Sequence, residues 1–235
     1  ARAARWLEML GPPRVPTMPE DPDGGYGAVD ELVVHPTVPN RLLGVSRRLV
    51  VSDDAGVTWT PGGLESAWST TLAVHPMSPS VMYLGRSGGM VLWSVDGGDS
   101  WSEPTQGPIS ASGANGIPRA ITPDPDNNLR AWMHEHTDVH LTEDGGLTWT
   151  RKSNLEFSSI GTKVPLALAK EGDTVHGIVV ADRSGGLRFS DDDGVTWTAL
   201  PMPVIPSDFV QVGSHWLVAT EESGLWRIEW SLPSN

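Results

Sequence analysis

The chain has 235 residues, enough for one all-β domain with no need of a second. It has no cysteine, which excludes disulfides and thiolate chemistry. Its formal net charge is −13, with 16 basic residues in no cluster, which argues against nucleic acid or an anionic membrane surface as partner. Nothing in it reads as membrane-inserting, and no cofactor is expected. Because it starts at Ala1, any signal peptide is expected to have been removed or left out, in a secreted or periplasmic protein.

In chain order, residues 1–11 hold an outer strand, Arg5 to Leu10, resembling Thr198-Ala199-Leu200-Pro201 near the other end of the chain. Residues 12–27 are a Pro- and Gly-rich loop. Five units follow, at 28–61, 69–104, 116–153, 162–200 and 206–231. Each opens on an inner strand: Leu32-Val33-Val34-His35-Pro36, Leu72-Ala73-Val74-His75-Pro76, Ala120-Ile121-Thr122-Pro123, Leu166-Ala167-Leu168-Ala169 and Phe209-Val210-Gln211-Val212. Middle strands are predicted at Arg41 to Gly44, Val81 to Gly85, Leu129 to Met133, Gly177 to Ala181 and Trp216 to Ala219. A third strand then leads into an eight-residue box, Ser/Thr-x-Asp-x-Gly-x-Ser/Thr-Trp, at Ser52, Ser94, Thr142 and Ser190. These starts are 42, 48 and 48 residues apart, a period that marks stacked or radial units, each too small to bury its own core.

Each box has the logic of a hairpin. The acids Asp54, Asp96, Asp144 and Asp192 can accept backbone N–H bonds within their own turn, and Gly takes the φ > 0 position. The hydroxyls can tie the two strand ends, while Trp carries apolar surface into the seam between units. The box residues are therefore expected to be scaffold. The fifth unit stops after its third strand, Leu225 to Glu229, without a box or a fourth strand. Arg5 to Leu10 is expected to fill that place and close the ring, hiding the edges.

The four boxes resemble the Asp-box (BNR) repeats of β-propellers such as sialidases, xyloglucanases, sortilin-type receptors and photosystem assembly factors. The resemblance implies a five-bladed β-propeller of four-stranded antiparallel blades, with ligands met on the face opposite the boxes. It implies little about activity.

Function is sought where the repeats disagree. Eight residues before each box stand Gly44, Arg86, His134 and Asp182, with Glu221 at the matching place in the fifth unit. Among the inner strands Leu32, Leu72, Arg119, Leu166 and Val210 form a series that Arg119 breaks. Asp30, Glu31, Lys163 and Asp208 lie just before these strands, and Tyr26 lies in the loop leading to the first. A pocket of Tyr26, Asp30, Glu31, Arg86, Arg119, His134, Lys163, Asp182 and Glu221 at one end of the channel is expected to bind a small polar ligand or glycan. Solvated turn residues, or a salt-bridge network, are the plain alternatives.

His134-Glu135-His136-Thr137-Asp138-Val139-His140 invites a metal reading. A turn at 136–137, however, sets His134 opposite Val139 and His140 opposite Met133, on opposite faces, so no metal is expected. His35 and His75, each before Pro, read as turn caps. The sialidase-like Arg-Ile-Pro element is absent; Ile117-Pro118-Arg119 is its reverse. Tyr26 with Glu31 could imitate the nucleophile pair that the resemblance implies. A two-carboxylate hydrolase using Asp30, Glu31, Asp182 and Glu221 stays open, as does a scaffold that binds a protein segment.

Overall fold

The computed structural model describes residues 29–46, 48–64, 68–106, 116–135, 138–154, 166–172, 174–182, 186–200, 202–220 and 223–229. The expected N-terminal strand at 1–11 lies outside them. Among the described residues the chain forms five antiparallel sheets and no helix.

The first sheet is β1 (Glu31–Val34), β2 (Leu42–Val45), β3 (Leu49–Ser52) and β4 (Thr60–Pro61), and the second is β5 (Ser69–Val74), β6 (Met82–Arg86) and β7 (Met90–Ser94). The third is β8 (Pro118–Asp124), β9 (Asn127–Glu135), β10 (Asp138–Thr142) and β11 (Thr150–Asn154). The fourth is β12 (Leu166–Glu171), β13 (Thr174–Ala181), β14 (Leu187–Ser190) and β15 (Thr198–Leu200), and the last is β16 (Pro206–Val212), β17 (His215–Thr220) and β18 (Gly224–Glu229). Each runs from inner to outer strand in chain order. The inner strands neighbour one another in series, β1 by β5, β5 by β8, β8 by β12 and β12 by β16.

Period-two alternation gives every sheet two apolar faces. In the second, third and fourth sheets each face packs on a different neighbour, and among the described residues the first and last sheets each pack one face. Leu43, Val45 and Leu49 of the first sheet meet Leu72, Met82 and Leu84 of the second. Tyr83 and Val91 of the second meet Met133 and Trp149 of the third. Trp132 and Leu141 then meet Leu166 and Ile178, and Val179 and Phe189 meet Phe209 and Trp216. The core is thus a set of seams rather than one centre.

The boxes fold as expected of scaffold hairpins. In the third sheet Thr142 Oγ1 donates to Asp144 Oδ1 at 2.9 Å and accepts from Gly146 N at 2.9 Å. Asp144 accepts from Thr148 N at 2.9 Å and from Thr148 Oγ1 at 2.6 Å. Gly146 takes φ 102°. The other three boxes repeat this pattern. Trp149 reaches back to the preceding sheet, its ring 6.1 Å from that of Tyr83 and nearly perpendicular to it.

Four strands are expected in every sheet, but the second and last show three among the described residues. In the second, the fourth strand shrinks to one bridge between Trp93 and Ser102. Pro104 has no N–H to continue the ladder, and Thr105 N donates instead to Leu147 O of the third sheet's box.

Candidate functional site

Antiparallel alternation fixes which residues share an end of the molecule. Inner and third strands run the same way, so the inner-strand ends, their His-Pro turns and the boxes lie at one end. Inner-strand starts and middle-strand ends lie at the other. Asp30, Glu31, Arg86, Arg119, His134 and Asp182 fall at this second end, opposite the boxes. Tyr26, Lys163 and Glu221 lie outside the described residues.

Burial separates these six. His134 and Asp182 are buried, which sets aside solvated turns for both, whereas Asp30 is exposed. Asp182 accepts from Arg188 Nε at 2.7 Å within its own hairpin. Arg86 lies 4.0 Å from Glu103. Arg119 sits at a β-bulge between Pro118 and Ala120, as Thr70 does between Ser69 and Thr71, so its equivalent in the second sheet is Thr70 and not Leu72. The packed slot is Ile121, which faces the second sheet as Leu72 faces the first. The series is therefore Leu32, Leu72, Ile121, Leu166 and Phe209, with Arg119 pushed out of it.

The His-rich hairpin has the expected register, Val139 opposite His134 and His140 opposite Met133. His140 is buried beside Asp138 and Arg151, which pair at 2.7 Å. Burial, with Arg151, pulls the His140 pKa down to about 4 against the opposing pull of Asp138, so the ring is neutral at pH 7. His35 and His75 cap their turns. His75 Nδ1 accepts from Met77 N at 3.2 Å and Ser78 N at 2.9 Å. That leaves Nε2–H to donate to Asp124 O of the next sheet at 2.6 Å.

A cavity of about 580 Å³ opens at the box end of the channel, across four inner strands. Its wall includes Val74, Pro76, Pro123, Pro125, Leu168 and Phe209, with Lys170 and Gln211 as its long polar side chains. Four cross-sheet bonds lace the wall: His75 Nε2 to Asp124 O, Thr122 Oγ1 to Leu166 O at 2.8 Å, and two between the Gln211 side chain and the backbone of Lys170. The cavity is built into the fold and lies at the other mouth from the six residues above. Lys170 and Gln211 escaped sequence reading because every repeat is polar where its inner strand ends. The deviation of that position from His-Pro in the fourth and last units was the available signal.

Radially packed four- and three-stranded sheets with Asp-Gly hairpins around a channel make this chain a β-propeller. It is 24% identical over 178 residues to a xyloglucanase from a Paenibacillus species, spanning 61% of this chain and 17% of that protein. The GH74 enzyme of Niastella koreensis superposes with a TM-score of 0.66 at 21% identity, over 88% of this chain and 36% of that one. YCF48 from Cyanidioschyzon merolae gives 0.63 at 17% identity, over 89% and 69%. These likenesses establish the fold. No family model matches the chain.

Proposed function

We propose that this propeller binds a ligand non-covalently in its channel and does not cleave it. The observation that carries this reading is the laced cavity at the box end, whose described wall has no carboxylate. Hydrolysis by a carboxylate pair needs two of them about 5–9.5 Å apart across the scissile bond. Of the acids expected to serve, Asp182 is held by Arg188 in its own hairpin, Asp30 and Glu31 lie at the opposite end, and Glu221 lies outside the described residues. The xyloglucanase relative nonetheless makes a xyloglucan oligosaccharide the first compound to try. Neutral sugars favour aromatic platforms and free amides. Among its described residues this wall has one aromatic residue, Phe209, whose ring packs on Trp216 in the seam, and one side-chain amide, Gln211, already bonded to Lys170.

The test incubates the protein with a xyloglucan oligosaccharide and follows reducing-end release. The expected result is no release above buffer. Steady release that disappears in Glu31→Gln or Asp30→Asn would overturn the reading.

A further inference from the structure

Lys170 is set into the cavity wall in a way that ordinary surface lysines are not. Strand β12 carries a register shift between Ala169 and Lys170, the kind of bulge that re-aims a side chain. The Gln211 side chain then clamps the same residue. Its Oε1 accepts from Lys170 N at 2.7 Å, and its Nε2 donates to Lys170 O and to Gly213 O at 3.1 Å. One amide from the last sheet thus fixes a backbone unit of the fourth.

The charge at this spot is unusual for so acidic a chain. At the box end Arg41 pairs with Asp53 at 2.7 Å, and Arg130 pairs with Asp124 and Asp193. Glu171, next to Lys170 in sequence, lies instead 3.7 Å from His176. Among the described residues no acid pairs with Lys170, and none lines the cavity. The remaining lining residues are mostly proline, glycine and aliphatic. An ammonium with no counter-charge among the described residues attracts an anion more strongly where water is partly excluded.

We propose that this cavity takes an anion with an apolar body, a carboxylate, sulfonate or phosphate head on a hydrocarbon or aromatic group, with Lys170 as its counter-charge. The proposal rests on the binding reading above and gives it a ligand class. Pro76, Pro123 and Pro125 flank the body, and the Gln211 clamp fixes the Lys170 backbone without engaging its ammonium.

Two fluorescent probes of similar shape test this: 8-anilinonaphthalene-1-sulfonate, which is anionic, and N-phenyl-1-naphthylamine, which is uncharged. The wild-type chain is expected to bind the sulfonate saturably. Lys170→Met should weaken that binding roughly tenfold, the low end of what a charged hydrogen bond gives at a partly open site, and Lys170→Glu should weaken it further. Affinity for the uncharged probe should stay within about twofold in both variants. Raising the salt should weaken the sulfonate alone. Lys152→Met, on the outer strand of the third sheet, should change neither. Equal sulfonate affinity in wild type and Lys170→Met, or parallel loss of both probes, would overturn the anion assignment and leave the binding reading in place. Failure of both probes to saturate the wild-type protein would remove the binding reading at this cavity as well.

Discussion

The same repeat position behaves oppositely in two regions of the molecule. Leu72, Ile121, Leu166 and Phe209 each press on the preceding sheet and are 4 to 8% exposed. Leu32 holds the equivalent place in the first sheet and is 56% exposed. The far face of the last sheet mirrors this, with Val210 and Val212 at 54% and 55%, where Ala73 and Ala169 lie buried in the second and fourth sheets. Burial here comes from the neighbour and not from the unit. A sheet of three or four short strands has two apolar faces and can cover neither, so stability resides in seams.

The largest effect is expected at the flank beside the last sheet. Residues 5–10 are proposed to pair with β18 as its missing fourth strand. Deleting residues 1–10 should then cost several kcal/mol, because Trp6, Leu7 and Leu10 would each lose roughly 1.5–3 kcal/mol of burial. An unchanged melting temperature in a monomeric truncated protein would sink that proposal.

Next in size is one substitution made at two equivalent positions. Leu166→Ala opens a cavity in an inner seam and should destabilise by about 2–5 kcal/mol. Leu32→Ala on the open flank should stay within about 0.5 kcal/mol. Chemical denaturation reads both, and equal losses would show that the flank is covered in solution.

A box substitution should fall between these extremes. Asp144→Ala deprives Thr148 N of its acceptor and should cost about 1–3 kcal/mol, with probe binding unchanged in the folded protein. Loss of binding at an unchanged melting temperature would promote the box from scaffold to site.

The smallest effects are pH-dependent and fall in two windows. His140 has its pKa lowered to about 4 from 6.5, so the unfolded chain binds the proton more tightly. Stability contributed by the neutral ring is full above 6.5 and is lost as pH falls toward 4. His140→Leu should flatten that part of the melting profile, leaving a weaker slope from His35, which burial also lowers. The box carboxylates act lower. The hydroxyl of Ser100 and then its backbone N–H hold Asp96 at about 2, and the other three box acids are shifted the same way. Their contribution is present above the ordinary value of 3.8 and is lost as pH falls below it, for Asp96 toward about 2. A profile flat from pH 7 to 2 would contradict both assignments.

Much of this was legible in the sequence because it is local. Ser52 to Trp59 carries its own hydrogen-bond partners within eight residues, so the hairpin follows from the residues alone. The opposite facing of His134 and His140 followed from counting across a two-residue turn. Non-local features were hidden. Arg119 occupies a bulge slot, as Thr70 does, so the apolar series runs through Ile121 instead, and Pro104 cut short a strand that the repeat promised. The Gln211 clamp on Lys170 joins residues 41 apart in different sheets, and no period announces it.

The central claim is that ligands occupy the channel cavity at the box end. A crystal structure of the protein soaked with 8-anilinonaphthalene-1-sulfonate tests it most directly. The predicted result is density between β5, β8, β12 and β16, with the sulfonate at hydrogen-bonding distance from Lys170 Nζ. Density at the opposite end, among Arg86, Arg119 and Asp182, with the cavity empty, would contradict it.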